Sequence, residues 1–233
     1  ALLDDPRLRK LTFTGSTEVG QMLAAKAAAH SMRVSLELGG DAPYIVCGDA
    51  DLEVAAQAVA TAKMRGAGQV CIAANRFLVH SSVKEDFVAR AIEVMESFRL
   101  GRGTDEGVTF GPLSGADQLS KVTGLVDDAV RRGASRRLGG SLPESIDPAG
   151  FYYPATVLTD IPADADILGA EIFGPVLTVS TFDTDDEAIA MANATPFGLA
   201  AYVFSENLAR ALSMAERIEA GMVAVNKGAL SDP

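Results

Sequence analysis

The sequence predicts an α/β fold with a largely parallel, helix-covered sheet. Two observations carry this. Short apolar runs alternate with longer helical runs along the whole chain, the pattern of strands joined by crossover helices. The 233 residues are 48% hydrophobic and 22% charged, enough to fill a core and unlike a disordered composition. The 22 glycines and 10 prolines suit a loop-rich protein of this class.

The elements follow in order. Arg9 to Phe13 reads as a strand, with Leu11 and Phe13 on one face. Gly15-Ser16 makes a turn, and a helix over 17–29 starts with Ser16 or Thr17 as its cap. Met32 to Leu38 alternates as a second strand, and Pro43 to Val46 forms a third. Asp49-Ala50-Asp51 caps an alanine-rich helix that runs to about Arg65. Arg76 to His80 is strand-like. Val83 to Phe98 spaces Phe87, Ala91, Val94 and Phe98 as one helical face. Leu100 to Leu113 is a glycine-rich loop. A helix follows over 116–132, then a loop over 139–150 and an extended stretch over 152–158. The remainder reads as strand 176–182, helix 185–193, strand 200–204, helix 209–218 and strand 222–225. Neither an internal repeat nor a low-complexity tract interrupts the pattern.

The net charge is 20 − 31 = −11. That argues against nucleic acid or an anionic membrane as partner, because both need a basic footprint, and fits solubility. The two cysteines, Cys47 and Cys71, match no metal spacing and no Cys-x-x-Cys motif, so no metal is expected. A reducing, cytoplasmic setting is the expectation. No apolar run reaches membrane-spanning length, and the charged start, Ala-Leu-Leu-Asp-Asp-Pro, is unlike a signal peptide. The start on Ala1 and the end in Ser231-Asp232-Pro233 lead to the expectation of a fragment cut at both ends.

Two residues stand out chemically. Cys71 closes Gly66-Ala67-Gly68-Gln69-Val70-Cys71, a glycine-loosened loop. Most free cysteines are core packing, and Cys47, at the end of the apolar Tyr44-Ile45-Val46, reads that way. A reactive thiolate needs partial exposure and a polar setting, which Gly66, Gly68 and Gln69 offer. Glu37 sits in Leu36-Glu37-Leu38-Gly39-Gly40. Alternation makes it a solvent-side strand residue or a placed base, and the Gly-Gly that follows permits close backbone approach. Gly15-Ser16-Thr17, between a strand and a helix, offers free N–H groups suited to an anion, although neither a Walker loop nor Gly-x-Gly-x-x-Gly is present. Arg65 is either a charge at a helix C-terminus or a clamp for a substrate carboxylate. His30 and His80 carry no evident chemistry, and Asn193-Ala194-Thr195 is a chance sequon.

These pieces in this order resemble the aldehyde dehydrogenase superfamily. The resemblance rests on Phe13-Thr14-Gly15-Ser16-Thr17-Glu18-Val19-Gly20, Leu36-Glu37-Leu38-Gly39-Gly40, Gly68-Gln69-Val70-Cys71, Glu171-Ile172-Phe173-Gly174-Pro175-Val176 and Phe197-Gly198-Leu199-Ala200. Lys10 to Thr17, Asp49-Ala50-Asp51-Leu52, Arg65, Val225-Asn226 and Ser231-Asp232-Pro233 extend the likeness to the succinate-semialdehyde dehydrogenases.

The resemblance implies a catalytic domain over 40–233 and, over 1–39, a C-terminal remnant of a Rossmann-like NAD(P)-binding domain. It implies Cys71 as nucleophile and Glu37 as the base that activates water, with NAD or NADP as hydride acceptor. Gly15, Ser16, Leu38, Glu171 and Phe173 would contact the cofactor. Arg65 and Ser231 would hold the distal carboxylate of a small aldehyde, succinate semialdehyde. The family's whole chain is longer at both ends, carrying an upstream asparagine as second oxyanion donor, the residues that choose NAD or NADP, and an oligomerisation strand. The parent is therefore expected to be a homo-oligomer and the fragment to be inactive. Ala73 stands where some relatives carry a second cysteine, so a Cys-x-Cys switch is absent. Two alternatives remain open: a CoA-acylating semialdehyde dehydrogenase, against which Glu37 argues, and a non-catalytic binding protein on the same fold.

Overall fold

The structure, a computed structural model, describes residues 2–230. It divides into two compact units, Ala1–Gly39 and Gly40–Pro233. No helix among the described residues is long and apolar enough to cross a membrane.

The first unit is one strand-helix-strand turn: β1 (Lys10–Thr14), α1 (Thr17–Ala28) and β2 (Arg33–Glu37). The strands pair in parallel, from Lys10 opposite Arg33 to Thr14 opposite Glu37. Ser16 caps α1 by accepting the Val19 N–H with its hydroxyl. Leu38 folds back over α1 at Gly20, where an added Cβ would lie 2.3 Å from Leu38 Cδ2. The missing side chain is what lets helix and strand approach.

The second unit is built on seven strands: β3 (Ala42–Val46), β4 (Ala74–His80), β5 (Ser135–Leu138), β6 (Thr156–Thr159), β7 (Val176–Phe182), β8 (Ala200–Phe204) and β9 (Met222–Val225). Their order is β5-β6-β7-β4-β3-β8-β9. Every neighbouring pair is parallel except β5 with β6. The expected parallel sheet is present, and its helices are α2 (Leu52–Val59), α3 (Lys84–Glu96), α4 (Ala116–Arg132), α5 (Asp185–Asn193) and α6 (Leu208–Arg217). Central β3 is buried at all five residues, as a strand covered on both faces must be. Around it, the Tyr44 ring packs 4.6 Å from Phe77 and 4.6 Å from Phe204.

Three segments differ from the sequence reading. β5, Ser-Arg-Arg-Leu, is an edge strand exposed over most of its length, so it lacks the apolar alternation that marks a strand. Of the extended stretch over 152–158, only its end joins the sheet as β6. The helix expected to run to Arg65 ends its regular bonding at Val59. A wide π turn follows over Ala60–Met64, then a tight segment over Arg65–Gly68. An alanine run carries no mark of which carbonyl each N–H will choose, so this change was silent in the sequence.

Candidate active site

The π turn leads into a left-handed hook. Gly66 (φ 59°), Ala67 (φ 57°) and Gly68 (φ 73°) occupy the left-handed region in succession. Glycine does so freely, whereas Ala67 is strained by roughly 1–2 kcal/mol. Beyond the hook, the Ala73 N–H donates to the Val70 carbonyl at 2.9 Å, closing a turn with Cys71 near its apex. Cys71 is a free, half-buried thiol. Cys47 is fully buried, with its Sγ 3.5 Å from Met214 Sδ. Burial pushes the Cys47 thiol up to about 12, which marks it as inert packing.

The hook is bound on three sides. A Cβ on Gly68 would lie 2.2 Å from the Gly174 carbonyl oxygen, so this glycine seats the Cys71 loop on the Glu171–Pro175 segment. A Cβ on Gly40 would lie 2.2 Å from the Cys71 carbonyl oxygen. The Gly40 N–H also donates to Glu171 Oε1 at 3.1 Å. Gln69, expected to make the approach to the thiol polar, is instead engaged in holding the loop. Its amide nitrogen donates to the Gly66 carbonyl at 3.2 Å and the Pro112 carbonyl at 3.4 Å, and its oxygen accepts the Ser114 N–H at 2.7 Å.

Arg65 is exposed at the end of the π turn. A small cavity of about 10 Å³ lies beside it, lined among others by Val70, Ile72, Tyr202 and Gly228. The Tyr202 hydroxyl donates to the Ile72 carbonyl at 2.8 Å. Burial chiefly, and then the Cys71 thiol, push this phenol up to about 12 against the opposing Arg65 guanidinium. Arg65 and Tyr202 thus share this cavity with Val70 and Ile72, the residues on either side of Cys71 in the chain. Phe173 is half-buried with φ 55°, a second non-glycine residue in the left-handed region.

Four of the remaining candidates belong to the first unit. Glu37 is exposed at the end of β2, and its backbone carbonyl accepts the Gly15 N–H at 3.0 Å. Gly15 lies under the Phe13 ring, where a Cβ would meet Cζ at 2.5 Å. Ser16 is the α1 cap and Leu38 packs on Gly20, as described above. Ser231 lies outside the described residues.

A charged cluster that the sequence did not reveal sits behind the loop. Lys63, on the π turn, is fully buried and donates to Asn75 Oδ1 at 3.0 Å. Asp41, next to Gly40, pairs with Arg76 Nε at 2.8 Å, and its Oδ2 takes the Thr195 hydroxyl at 3.3 Å. The Arg76 guanidinium also donates to the Met191 and Ala192 carbonyls at the end of α5. Burial depresses Lys63 to about 7, partly opposed by Asp41. Burial raises the Asp41 carboxyl against the pull of Arg76. The one available signal was a lysine inside the apolar run Ala60-Thr61-Ala62-Lys63-Met64. No group of three or more His, Cys, Asp or Glu among the described residues could hold a metal ion.

Fold and loop define a class: a parallel-sheet α/β protein with one half-buried thiol on the turn between a left-handed hook and a central strand. The model of the aldehyde dehydrogenase family matches residues 1–233, and the chain belongs to that family. It is 47% identical over 231 residues to a succinate-semialdehyde dehydrogenase of Paenarthrobacter nicotinovorans, covering 99% of this chain and 51% of that protein. It is 45% identical over 231 residues to succinate-semialdehyde dehydrogenase [NADP(+)] 1 of Schizosaccharomyces pombe, covering 99% and 46%. The NAD-dependent aldehyde dehydrogenase of Sinorhizobium meliloti superposes with a TM-score of 0.93 at 40% identity, over 100% of this chain and 45% of that one. The chain spans about half the length of the curated relatives it matches.

Proposed function

We infer that this chain is the thiol-bearing part of an NAD(P)-dependent dehydrogenase acting on a short aldehyde with a distal carboxylate, of the succinate semialdehyde type. The observation that carries the reading is a half-buried Cys71 whose chain neighbours Val70 and Ile72 line one cavity with Arg65, against a second cysteine that is sealed. The names of the two relatives support the substrate class.

In this reading the Cys71 thiolate attacks the aldehyde carbon and forms a thiohemiacetal. Loss of hydride gives a thioester, which water hydrolyses to the carboxylate and the free thiol. Glu37, exposed at the end of β2, takes the proton from that water. Arg65 holds the substrate carboxylate, for which its planar fork is shaped. NAD or NADP, when bound, supplies the hydride acceptor. The chain's own residues fit part of that cofactor. The start of α1 behind Gly15-Ser16 turns N–H groups outward after a strand, a setting suited to a phosphate. Glu171 uses Oε1 on Gly40, while Oε2 forms no hydrogen bond among the described residues and is available to a ribose hydroxyl.

The test uses thiol labelling of this chain. Succinate semialdehyde should protect Cys71 from iodoacetamide in a saturable way, and butanal should protect it far less. Arg65→Ala should abolish that difference. Equal protection by the two aldehydes would sink the carboxylate clamp, and no protection by either would sink the nucleophile assignment.

A further inference from the structure

The start of α4 is the shared anchor of two loops. Gln69, two residues before Cys71, reaches Pro112 and Ser114, which immediately precede the helix. Gln118, in the first turn of the helix, donates its amide to the Ile172 carbonyl at 3.0 Å and the Phe173 carbonyl at 2.9 Å. Phe173 is the residue held at φ 55°. Gly174 packs on the same helix, where an added Cβ would lie 2.8 Å from Val122 Cγ2. The two loops also meet directly at Gly68 and Gly174.

Each glutamine restrains a backbone that would not hold its conformation unaided. Gln69 gives its backbone N–H, at 3.1 Å, and its side-chain amide to the same Gly66 carbonyl, at the start of the left-handed hook. Gln118 donates to the Ile172 and Phe173 carbonyls, which flank the strained Phe173 backbone. Residues in sparsely populated backbone regions persist only where their surroundings over-determine them. Both side chains have the donors this needs, and a leucine or methionine in their place would supply none.

We propose that Gln69 and Gln118 are positioning residues that fasten the Cys71 loop and the Glu171–Phe173 loop to residues 112–118, so that the start of α4 sets the geometry of one loop against the other. This rests on the assignment of Cys71 as nucleophile. It goes further by naming what orients the thiol.

The experiment uses the 233-residue chain and three readouts: residue-resolved amide exchange, the iodoacetamide rate of Cys71, and thermal unfolding. Gln69→Leu should speed exchange of the Ser114 amide at least tenfold and change the Cys71 rate at least threefold. Gln69→Glu keeps the oxygen that accepts from Ser114, so it should restore protection at Ser114 (a signature that general loosening would not give). Gln118→Met should also change the Cys71 rate at least threefold, although Gln118 lies outside the Cys71 loop. In the double variant the two effects should fall short of their product. Cys71 rates within twofold of wild type in both single variants, or strictly multiplicative effects, would overturn the proposal. If Gln69→Leu fails to fold, the Ser114 amide in Gln69→Glu decides: loss of its protection overturns the clamp and retention supports it. The two readings fail separately. A wild-type Cys71 no more reactive than Cys47 sinks the nucleophile, whereas Ser114 exchange tests the clamp regardless.

Discussion

Cys47 and Cys71 lie only 24 residues apart in one compact unit, yet one is sealed in the core and the other is half-buried. Cys47 follows a strand that runs fully buried through the sheet, and its thiol packs on Met214. Cys71 precedes a strand, on a turn that three left-handed residues lift out of the core. The difference is one of backbone path. Cys47 sits at the end of a strand covered on both faces, so its side chain is buried there, whereas Cys71 lies on a turn beyond the left-handed hook. The position of Cys71 is thus set by glycines and amides around its loop.

The largest effect should come from removing the hook's room. Gly68→Ala combines a left-handed φ with a 2.2 Å approach to the Gly174 oxygen, and should cost about 3 kcal/mol by urea denaturation. Retained stability would mean that backbone path is not what separates the two thiols. Next comes the direct comparison. Iodoacetamide at pH 8 should label Cys71 at least about a hundredfold faster than Cys47, as expected where one thiol is held protonated. Similar rates in peptide mapping would erase the contrast.

The buried groups behind the loop sharpen the comparison through pH. Lys63 has a folded value near 7, below its ordinary value of 10.5. Its contribution is present above 10.5 and is lost as pH falls toward 7. Stability should therefore rise with pH across that window, by at most about 1.4 kcal/mol per unit. Lys63→Met should flatten the rise in urea midpoints measured from pH 7 to 9. Cys47 acts in the opposite sense. Its folded value near 12 lies above the ordinary 9, so its contribution is full below 9 and is lost as pH climbs toward 12. The smallest effect should be Cys47→Ala, a loss of about 1 kcal/mol from one vacated packing contact, with the Cys71 labelling rate unchanged.

Much of this was legible in the sequence. The helix over 116–132 and the strands over 176–182 and 200–204 were read with the bounds the structure gives, because period and punctuation agree there. Cys47 as packing followed from local pattern alone, and Ser16 was one of the two caps that pattern offered. What escaped depends on partners far away in the chain. Gln69 reads as a polar loop residue until Pro112 and Ser114 stand beside it. Lys63 sits in an alanine run that looks like ordinary helix until the π turn points it inward at Asn75. Edge strand β5 is too polar to announce itself without β6 alongside.

The two-stranded ribbon of the first unit has a consequence for handling the protein. Strands β1 and β2 pair only with each other among the described residues, so each keeps a row of backbone groups that a further strand can pair with. Lys10, Arg33 and Glu37 place charge along that ribbon and discourage such addition. That protection is electrostatic and weakens as ions screen it, so self-association through this ribbon should grow with salt.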